Sequence, residues 1–178
     1  SNGAGPFAEI NDSDAILVTG ASGFFGQYIV EQLKEVTGSL LLMGRTANQK
    51  MHFCADISQK GAWQEELSKT NISRIIHLAG QPRLDNQLEA LKVHISGLNN
   101  LLDAVQNSSP WIMLISSGAV YGNVLPSYFP IKETQLCAPT TEYGHLKLEQ
   151  EDLIKARKDE FDGICIVRPS NLIGPQLG

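Results

Sequence analysis

The chain has 178 residues, of which 42% are hydrophobic and 19% are charged, a composition typical of one globular domain with a substantial core. Its formal net charge of -5 and the lack of a basic stripe argue against nucleic-acid binding. No apolar stretch approaches the roughly 18 residues that a membrane-spanning helix needs, and residues 1–14 do not resemble a signal peptide, so we expect a soluble, cytoplasmic protein.

The first predicted element begins after a polar start of the chain. Residues 1–14 are rich in small and polar side chains and are predicted to be a flexible tail outside the fold. From Ala15 to Thr19 an apolar run ends at a glycine, which predicts a strand buried on both faces of a parallel sheet. Residues 25–36 are predicted to form a helix, because their apolar residues recur at helical spacing.

Strands and helices continue to alternate along the chain. Further strands are predicted at residues 39–43, 51–55, 74–78, 111–116 and 163–167. Further helices are predicted at about residues 61–69, 84–106 and 142–158, with a proline-containing loop before the last of them. This order predicts an α/β fold of the Rossmann type, a doubly wound parallel sheet with helices on both faces, in one domain from residue 15 to residue 178.

Three glycines join the first strand to the first helix. Gly20, Gly23 and Gly26 have the spacing Gly-x-x-Gly-x-x-Gly, with Ser22, Phe24 and Phe25 between them. Glycines at this point let the chain turn tightly and bring backbone N–H groups close to a diphosphate. Because strand, glycines and helix occur in the required order, these residues predict a dinucleotide site rather than a plain turn.

The ends of the next two strands bear on which dinucleotide binds. The second strand of such domains usually ends in an acidic residue that binds the adenosine ribose of NAD, but here the chain has Gly44 and Arg45. The guanidinium of Arg45 is suited to a 2′-phosphate, so NADP(H) is favoured and NAD(H) is the alternative; Arg45 could otherwise simply face solvent. Asp56, followed by Ile57, either meets the adenine amino group or caps a helical segment beginning near Ser58.

Candidate chemistry lies later in the chain. Tyr143 and Lys147 are four residues apart and therefore share one helix face, and the positive charge is expected to lower the pKa of the tyrosine from about 10 toward working pH. Ser116 and Ser117 end a predicted strand at the carboxyl edge of the sheet, where α/β proteins bind ligands. The two hydroxyls are easily confused as candidates, and Ser116 could instead cap the strand end.

Taken together, the segments TGASGFFG, HLAG, SSGAVYG, YGHLK and RPSNLIGP resemble the NAD-dependent epimerase/dehydratase family, the extended branch of the short-chain dehydrogenase/reductases. The resemblance runs from residue 15 to the end of the chain. It implies that Tyr143 is the general acid/base, that Lys147 binds the nicotinamide ribose and tunes the tyrosine, and that Ser117 polarises the reacting oxygen. It also implies cofactor contacts at Leu78, Ala79, Gly80 and Pro169, and a substrate-diphosphate contact at Asn171, which otherwise makes a turn.

Within the family, HLAGQ, VYGNVLP and IGPQLG are most similar to GDP-4-keto-6-deoxymannose reductases and related 4-ketoreductases. This implies an NADP(H)-dependent oxidoreductase acting on a nucleoside-diphosphate sugar, with Tyr143 supplying the proton. The alternatives are an NAD-dependent epimerase or dehydratase, and a dinucleotide-binding regulatory module without turnover. The resemblance further implies a homodimer that pairs through the helices at residues 84–106 and 142–158.

The chain also departs from the family pattern. His94 stands where the family commonly has asparagine, and we interpret it as structural. The histidines and cysteines show no metal-ligand spacing, so we expect no metal site. Family members continue past the RPSNLIGP segment into a smaller domain that closes over the sugar, whereas this sequence stops at Gly178, and we expect the working protein to be longer.

Overall fold

The computed structural model describes residues 15–35, 39–45, 50–80 and 87–170, so the predicted tail lies outside the described residues. The strands are β1 (Ala15–Thr19), β2 (Ser39–Gly44), β3 (Phe53–Cys54), β4 (Arg74–His77), β5 (Trp111–Ile115) and β6 (Gly163–Val167). The α-helices are α1 (Phe24–Leu33), α2 (Ala62–Ser68), α3 (Gln87–Leu91), α4 (Gly97–Val105) and α5 (Glu142–Ala156). A π-helix spans Lys92–Ser96, and 3₁₀ turns lie at Gln106–Ser108, Gly118–Tyr121, Pro126–Tyr128 and Lys158–Glu160.

The strands form one sheet in the order β3-β2-β1-β4-β5-β6, and every neighbouring pair is parallel. The chain runs outward from β1 to β3, returns to place β4 beside β1, and then runs outward in the other direction to β6. The predicted doubly wound parallel sheet is therefore confirmed. The reversal lies between β1 and β4, and ligands of such sheets bind in the crevice at the carboxyl ends of the strands there.

Alternate residues of β1 pack on opposite faces of the sheet. Leu17 belongs to a core cluster that includes residues of α2, α4 and α5, whereas Ile16 and Val18 belong to a second cluster with Val30 of α1. All three β1 residues are at most 1% exposed. This period of two, with helices covering both faces, explains why three consecutive residues of the strand are apolar and confirms that it is buried on both sides.

Some element bounds differ from those predicted. The third strand is only two residues long. Before it, His52 binds β2 through both backbone and side chain: its N–H donates to the Leu42 carbonyl at 2.9 Å, and its Nδ1 accepts from Leu42 N–H at 3.1 Å. Helix α1 begins one residue earlier than predicted and ends at Leu33, while residue 36 lies outside the described residues. Within the described part of the chain, no helix combines the length and the apolar character needed to cross a bilayer.

The largest difference concerns the helix predicted at residues 84–106, whose first residues lie outside the described part. Instead of one continuous α-helix, the chain forms α3, the π-helix and α4, and Gly97 N–H donates to the Lys92 carbonyl five residues earlier. Packing against the turn after β3 sets the phase of α4, because Gly97 lies directly against the side chain of Ile57 and Asn100 Nδ2 donates to the Ile57 carbonyl at 2.9 Å. The prediction of an uninterrupted helix was wrong.

Candidate active site

Two adjoining cavities open at the carboxyl edge of the sheet, on either side of the β1–β4 reversal. The first has a volume of about 180 Å³ and the second about 510 Å³. Both are lined by Gly20, Gly23, Leu78 and Gly80, so they form one continuous cleft across the point where the strand order reverses.

The cleft brings together every predicted site residue that the structure describes. The first cavity is also lined by Ser22, Arg45, Asp56, Ile57 and Ala79. The second is also lined by Phe24, Phe25, Gly26, Ser117, Tyr143, Lys147 and Pro169. Asn171 lies outside the described residues, so its predicted contact with substrate stays a prediction.

The glycine turn after β1 has no room for a side chain. Gly20 has a φ of +70°, a left-handed conformation that favours glycine, and a Cβ at this position would lie 2.8 Å from the backbone nitrogen of Ala79. The loop after β1 and the loop after β4 are therefore in direct backbone contact. At Gly20 the floor of the cleft is therefore backbone alone, which a dinucleotide diphosphate can approach closely.

The N-terminus of α1 faces this floor. The helix begins after Gly23, its first turn contains no acidic residue, and among the described residues no side chain caps it. The first N–H groups of a helix lack intrahelical partners and carry a partial positive charge. The residues present here therefore fit an anion such as a diphosphate.

The carboxyl end of β2 offers space and a positive charge rather than a carboxylate. Gly44 is the last residue of β2, and a Cβ there would lie 3.4 Å from Ser22 Oγ and 3.1 Å from Met51 Sδ. Arg45 follows with an exposed side chain at the rim of the first cavity. This arrangement is consistent with a phosphate group. Residues 43–50 include no acidic side chain that could accept a hydrogen bond from a ribose hydroxyl.

Asp56 closes a turn at the far end of the first cavity. Its Oδ1 accepts a hydrogen bond from Ser58 N–H at 2.9 Å, two residues along the chain. Helix α2 begins only at Ala62, so the helix cap that the sequence suggested is a turn instead. Asp56 also lines the first cavity. Its contact with an adenine stays a prediction.

At the other end of the cleft, helix α5 approaches the end of β5 closely. The Thr141 hydroxyl accepts from Gly144 N–H at 3.0 Å and caps the helix. A Cβ on Gly144 would lie 2.6 Å from the carbonyl oxygen of Ala119, so only glycine allows this distance between α5 and the 3₁₀ turn after β5. The approach brings Tyr143 and Ser117 to the same cavity.

The two neighbouring serines have different roles in the structure. Ser116 is 3% exposed, and its hydroxyl donates to Glu151 Oε1 at 2.6 Å, so it binds α5 rather than simply capping the strand. Ser117 Oγ accepts from Ala119 N–H at 3.2 Å. That contact uses an acceptor site of the Ser117 hydroxyl and leaves its hydrogen available to a ligand in the cavity.

The electrostatics of Tyr143 differ from the expectation. Burial raises the pKa of Tyr143 above its ordinary value, and burial lowers the pKa of Lys147 to about 8. The Lys147 ammonium donates to the Ile115 carbonyl at 3.0 Å and to Gln150 Oε1 at 3.1 Å, and it lies 5.8 Å from the centre of the tyrosine ring. The expectation that Lys147 lowers the pKa of Tyr143 was wrong, because burial of the phenol sets the direction of the shift.

His94 contributes more to the site than the sequence suggested. It lies in the π-helix, is fully buried and lines the second cavity. Its ring meets the ring of Tyr143 edge-on, with 6.1 Å between ring centres. On another side it packs against Gly80, where a Cβ would lie only 2.7 Å from His94 Cε1. The ring therefore forms part of the wall against which Tyr143 packs.

Sequence reasoning missed the ion pair that holds the site together. Glu151 is fully buried and accepts two hydrogen bonds from Arg168, Nε to Oε1 at 2.9 Å and Nη2 to Oε2 at 2.7 Å. With Ser116 as a third donor, this carboxylate joins the ends of β5 and β6 to α5. One signal was present in the sequence: Tyr143, Lys147 and Glu151 follow each other at intervals of four residues and so share a helix face.

No group of three or more histidine, cysteine or acidic residues within the described ranges is arranged to hold a metal ion. The sheet order, the glycine turn at its reversal and the Ser117, Tyr143 and Lys147 side chains around one cavity define a domain of the short-chain dehydrogenase/reductase class. Residues 16–177 match the model of the NAD dependent epimerase/dehydratase family, and the chain belongs to this family.

Named relatives within the family have different activities. The chain is 29% identical over 167 residues to GDP-6-deoxy-D-mannose reductase of Pseudomonas aeruginosa, covering 90% of this chain and 53% of the relative. It is 26% identical over 183 residues to UDP-glucose 4-epimerase of Pasteurella multocida, covering 90% of this chain and 54% of the relative. The chain thus spans about half the length of the curated relatives that it matches.

The fold is also similar to solved structures. A structure of RMD from Pseudomonas aeruginosa complexed with NADPH matches with a TM-score of 0.75 and 27% sequence identity. The match covers 92% of this chain and 56% of that one. The predicted fold class and family are confirmed by these comparisons.

Proposed function

We propose that the cleft binds NADP(H) in preference to NAD(H), and that this chain carries the catalytic residues of an oxidoreductase acting on a nucleoside-diphosphate sugar, with 4-keto-6-deoxyhexose reduction as the favoured activity. One observation carries the proposal. Arg45 lines one end of a continuous cleft, Ser117, Tyr143 and Lys147 line the other, and the glycine turn lies between them. A dinucleotide spans such a cleft with its diphosphate at the helix N-terminus between the two ends.

The preference for NADP(H) rests on charge. Residues 43–50 contain no carboxylate, and they do contain Arg45 and Lys50. A 2′-phosphate gains from a nearby guanidinium, whereas the 2′-hydroxyl of NAD gains most from an acidic acceptor. The solved structure of RMD holds NADPH, which supports the same choice.

The residues of the second cavity suit reduction of a ketone. When bound, the nicotinamide supplies a hydride to the carbonyl carbon. Tyr143 then gives its phenolic proton to the carbonyl oxygen, since the phenol is in its protonated form at neutral pH. The Ser117 hydroxyl donates a hydrogen bond to the same oxygen and so stabilises the charge that develops there.

A second candidate is an NAD-dependent epimerase or dehydratase, which the similarity to UDP-glucose 4-epimerase favours. The third is a regulatory module that binds the dinucleotide without turnover. Cofactor preference separates the first two candidates, and turnover separates both from the third.

The first test is a titration of the purified chain with NADPH and with NADH, followed by nicotinamide fluorescence. We expect NADPH to bind at least about tenfold more tightly, since one charge-assisted hydrogen bond is worth about that ratio. Equal or tighter binding of NADH would contradict the cofactor assignment and favour the epimerase or dehydratase. Binding of neither would contradict the proposal as a whole.

The second test is turnover of GDP-4-keto-6-deoxymannose by the protein at its natural length, because its relatives are about twice as long as this chain. Replacing Tyr143 by phenylalanine is expected to lower turnover by about 10²-fold or more while NADPH binding stays nearly unchanged. The matched control is Tyr128→Phe, at a residue 59% exposed in the loop before α5. Activity that survives Tyr143→Phe would show that the proton donor is another group.

We further propose that the protein forms a homodimer through the helices that the sequence predicted, here α3 with α4, and α5. In support, Leu88 and Leu91 of α3 are 59% and 41% exposed, although they are large and apolar. A monomer in light scattering at working concentration would contradict this arrangement. A cytoplasmic location stays a prediction from the sequence.

A further inference from the structure

Gln150 connects two parts of the site that are distant in sequence. It lies on α5, three residues after Lys147, and it is fully buried. Its Nε2 donates to the His94 carbonyl at 2.8 Å, and its Oε1 accepts from Lys147 Nζ at 3.1 Å. One uncharged side chain therefore joins the backbone of the π-helix to the ammonium group at the second cavity.

The hydrogen-bond donors of Lys147 determine how its ammonium group is oriented. An ammonium group has three N–H donors in a fixed tetrahedral arrangement. Two of them are used by the Ile115 carbonyl and Gln150 Oε1, which are held by β5 and α5. Because Lys147 also lines the second cavity, its third donor is the one available to a ligand.

We propose that Gln150 is a positioning residue, which keeps Lys147 charged and aimed at the ribose of the nicotinamide. This inference rests on the proposed function, since it takes the second cavity as the nicotinamide site. Gln150 acts through Lys147 and does not itself line the cavity.

The surroundings of Lys147 make an uncharged acceptor important. The titratable groups packed near it are His77 of β4, His94 of the π-helix and Tyr143 of α5. Glu151 follows on the same helix, but its carboxylate is engaged by Arg168, Ser116 and Lys155. Burial already lowers the pKa of Lys147, so loss of the Gln150 oxygen is expected to lower it further.

The test follows the Nζ resonance of Lys147 by NMR of protein carrying ¹⁵N-lysine, assigned with Lys147→Arg, and it needs neither cofactor nor substrate. Gln150→Met keeps the shape and removes the acceptor, and it should lower the titration midpoint by about one pH unit. Gln150→Glu puts a carboxylate at the same place and should raise the midpoint by about one pH unit. Opposite shifts support the proposal, and an unchanged midpoint in both variants overturns it.

The matched control is Gln64→Met. Gln64 lies on α2, outside both cavities, and it also links two groups, since its Nε2 donates to the Asn100 carbonyl at 3.1 Å and its Oε1 accepts from Gly61 N–H at 3.3 Å. The control should leave the Lys147 midpoint unchanged. A shift as large as that of Gln150→Met would mean that the effect is a general loosening of the fold, which overturns the proposal.

Cofactor affinity gives an independent readout. Gln150→Met should weaken NADPH binding by about tenfold in the wild type but change it little in a Lys147→Met background, because the effect passes through Lys147. Equal losses in both backgrounds overturn the proposal. If thermal unfolding shows that Gln150→Met does not fold, the test rests on Gln150→Glu alone. A raised Lys147 midpoint in that variant then supports the proposal, and an unchanged midpoint overturns it. If the wild type binds no NADPH, the proposed function fails, while the NMR titration still decides whether Gln150 controls Lys147.

Discussion

Two arginine–glutamate pairs in this protein have the same geometry but differ in burial, and they allow a sharp test of what holds the site together. Arg168 binds Glu151 through Nε and Nη2 at 2.9 and 2.7 Å, and Arg157 binds Glu160 through the same atoms at 2.9 and 2.6 Å. The two arginine side chains are 16% and 15% exposed, whereas Glu151 is 0% and Glu160 is 39% exposed. Removing each glutamate in turn therefore measures the effect of burying the carboxylate.

We expect Glu151→Leu to lower the free energy of unfolding by about 3–5 kcal/mol, because it leaves the largely buried Arg168 guanidinium without its carboxylate partner and the Ser116 hydroxyl without its acceptor. Glu160→Leu should lower it by less than about 1 kcal/mol, since its carboxylate is partly solvated and Arg157 keeps Asp103 at 2.7 Å. Against a usual total of about 5–15 kcal/mol, the first loss is large.

The contribution of Glu151 also depends on pH. Burial raises the pKa of this carboxyl, but the hydrogen bonds from Arg168, Ser116 and Lys155 outweigh burial and hold the pKa below its ordinary value. A carboxyl with a lowered pKa stabilises the fold above its unfolded pKa of about 4.3 and loses that contribution as pH falls through the folded value. The advantage of the wild type over Glu151→Leu should therefore be full near neutral pH and decline below about pH 4.

The assay is urea denaturation of the wild type and both variants near neutral pH and again at about pH 3. The double variant Glu151→Leu with Arg168→Met removes both charges and should recover most of the lost stability. Losses that are equal for Glu151→Leu and Glu160→Leu would refute the reasoning, as would a Glu151 contribution that does not change with pH.

Three further predictions concern the cleft. Gly20→Ala places a methyl group 2.8 Å from Ala79 N at a φ of +70°, and we expect NADPH affinity to fall by about tenfold or more in a fluorescence titration; unchanged affinity would contradict the diphosphate assignment. Arg45→Asp should weaken NADPH by about tenfold and strengthen NADH, and an unchanged ratio of the two affinities would contradict the 2′-phosphate contact. The folded pKa of Lys147 is about 8, below its unfolded value, so the unfolded chain binds more protons between them. The unfolding free energy of the wild type relative to Lys147→Met should therefore rise from about pH 8 toward about pH 10, and a flat difference would contradict the burial of this ammonium.

Features set by short-range pattern could be predicted from the sequence. The first four residues of β1 are apolar because the strand is buried on both faces, and the glycine turn follows it directly. The interval of four residues from Tyr143 to Lys147 fixes a shared helix face without any tertiary information. These local regularities were enough to pick out residues that line one cleft in the structure.

Features that depend on burial and distant contacts could not be predicted. Glu151 meets a serine 35 residues earlier and an arginine 17 residues later, and no spacing rule connects these three. The direction of the Tyr143 pKa depends on how much water reaches the phenol, which the sequence does not state. The hydrogen bond from Leu42 N–H to the ring of His52 likewise joins residues ten apart, and no local pattern indicates it.

The π-helix could not be predicted from the sequence, because the helical spacing of the leucines continues across it without a break. Leu91 and Leu98 are seven residues apart and would share one face of a continuous α-helix. In the structure Leu91 is 41% exposed, whereas Leu98 is 0% exposed. The change of register between them has turned one half of the helix relative to the other.

Because of this rotation, the length of the π-helix determines how α3 is oriented relative to α4. Each residue of an α-helix advances the face by about 100°, so deleting one residue from Lys92–Ser96 would rotate α3 against α4 by about that angle. Such a rotation would carry Leu88 and Leu91 to a different side of the molecule and would also move His94 relative to Tyr143. The outward face of α3 and the inner wall of the active site are therefore set by the same five residues, so a change of length there alters both at once.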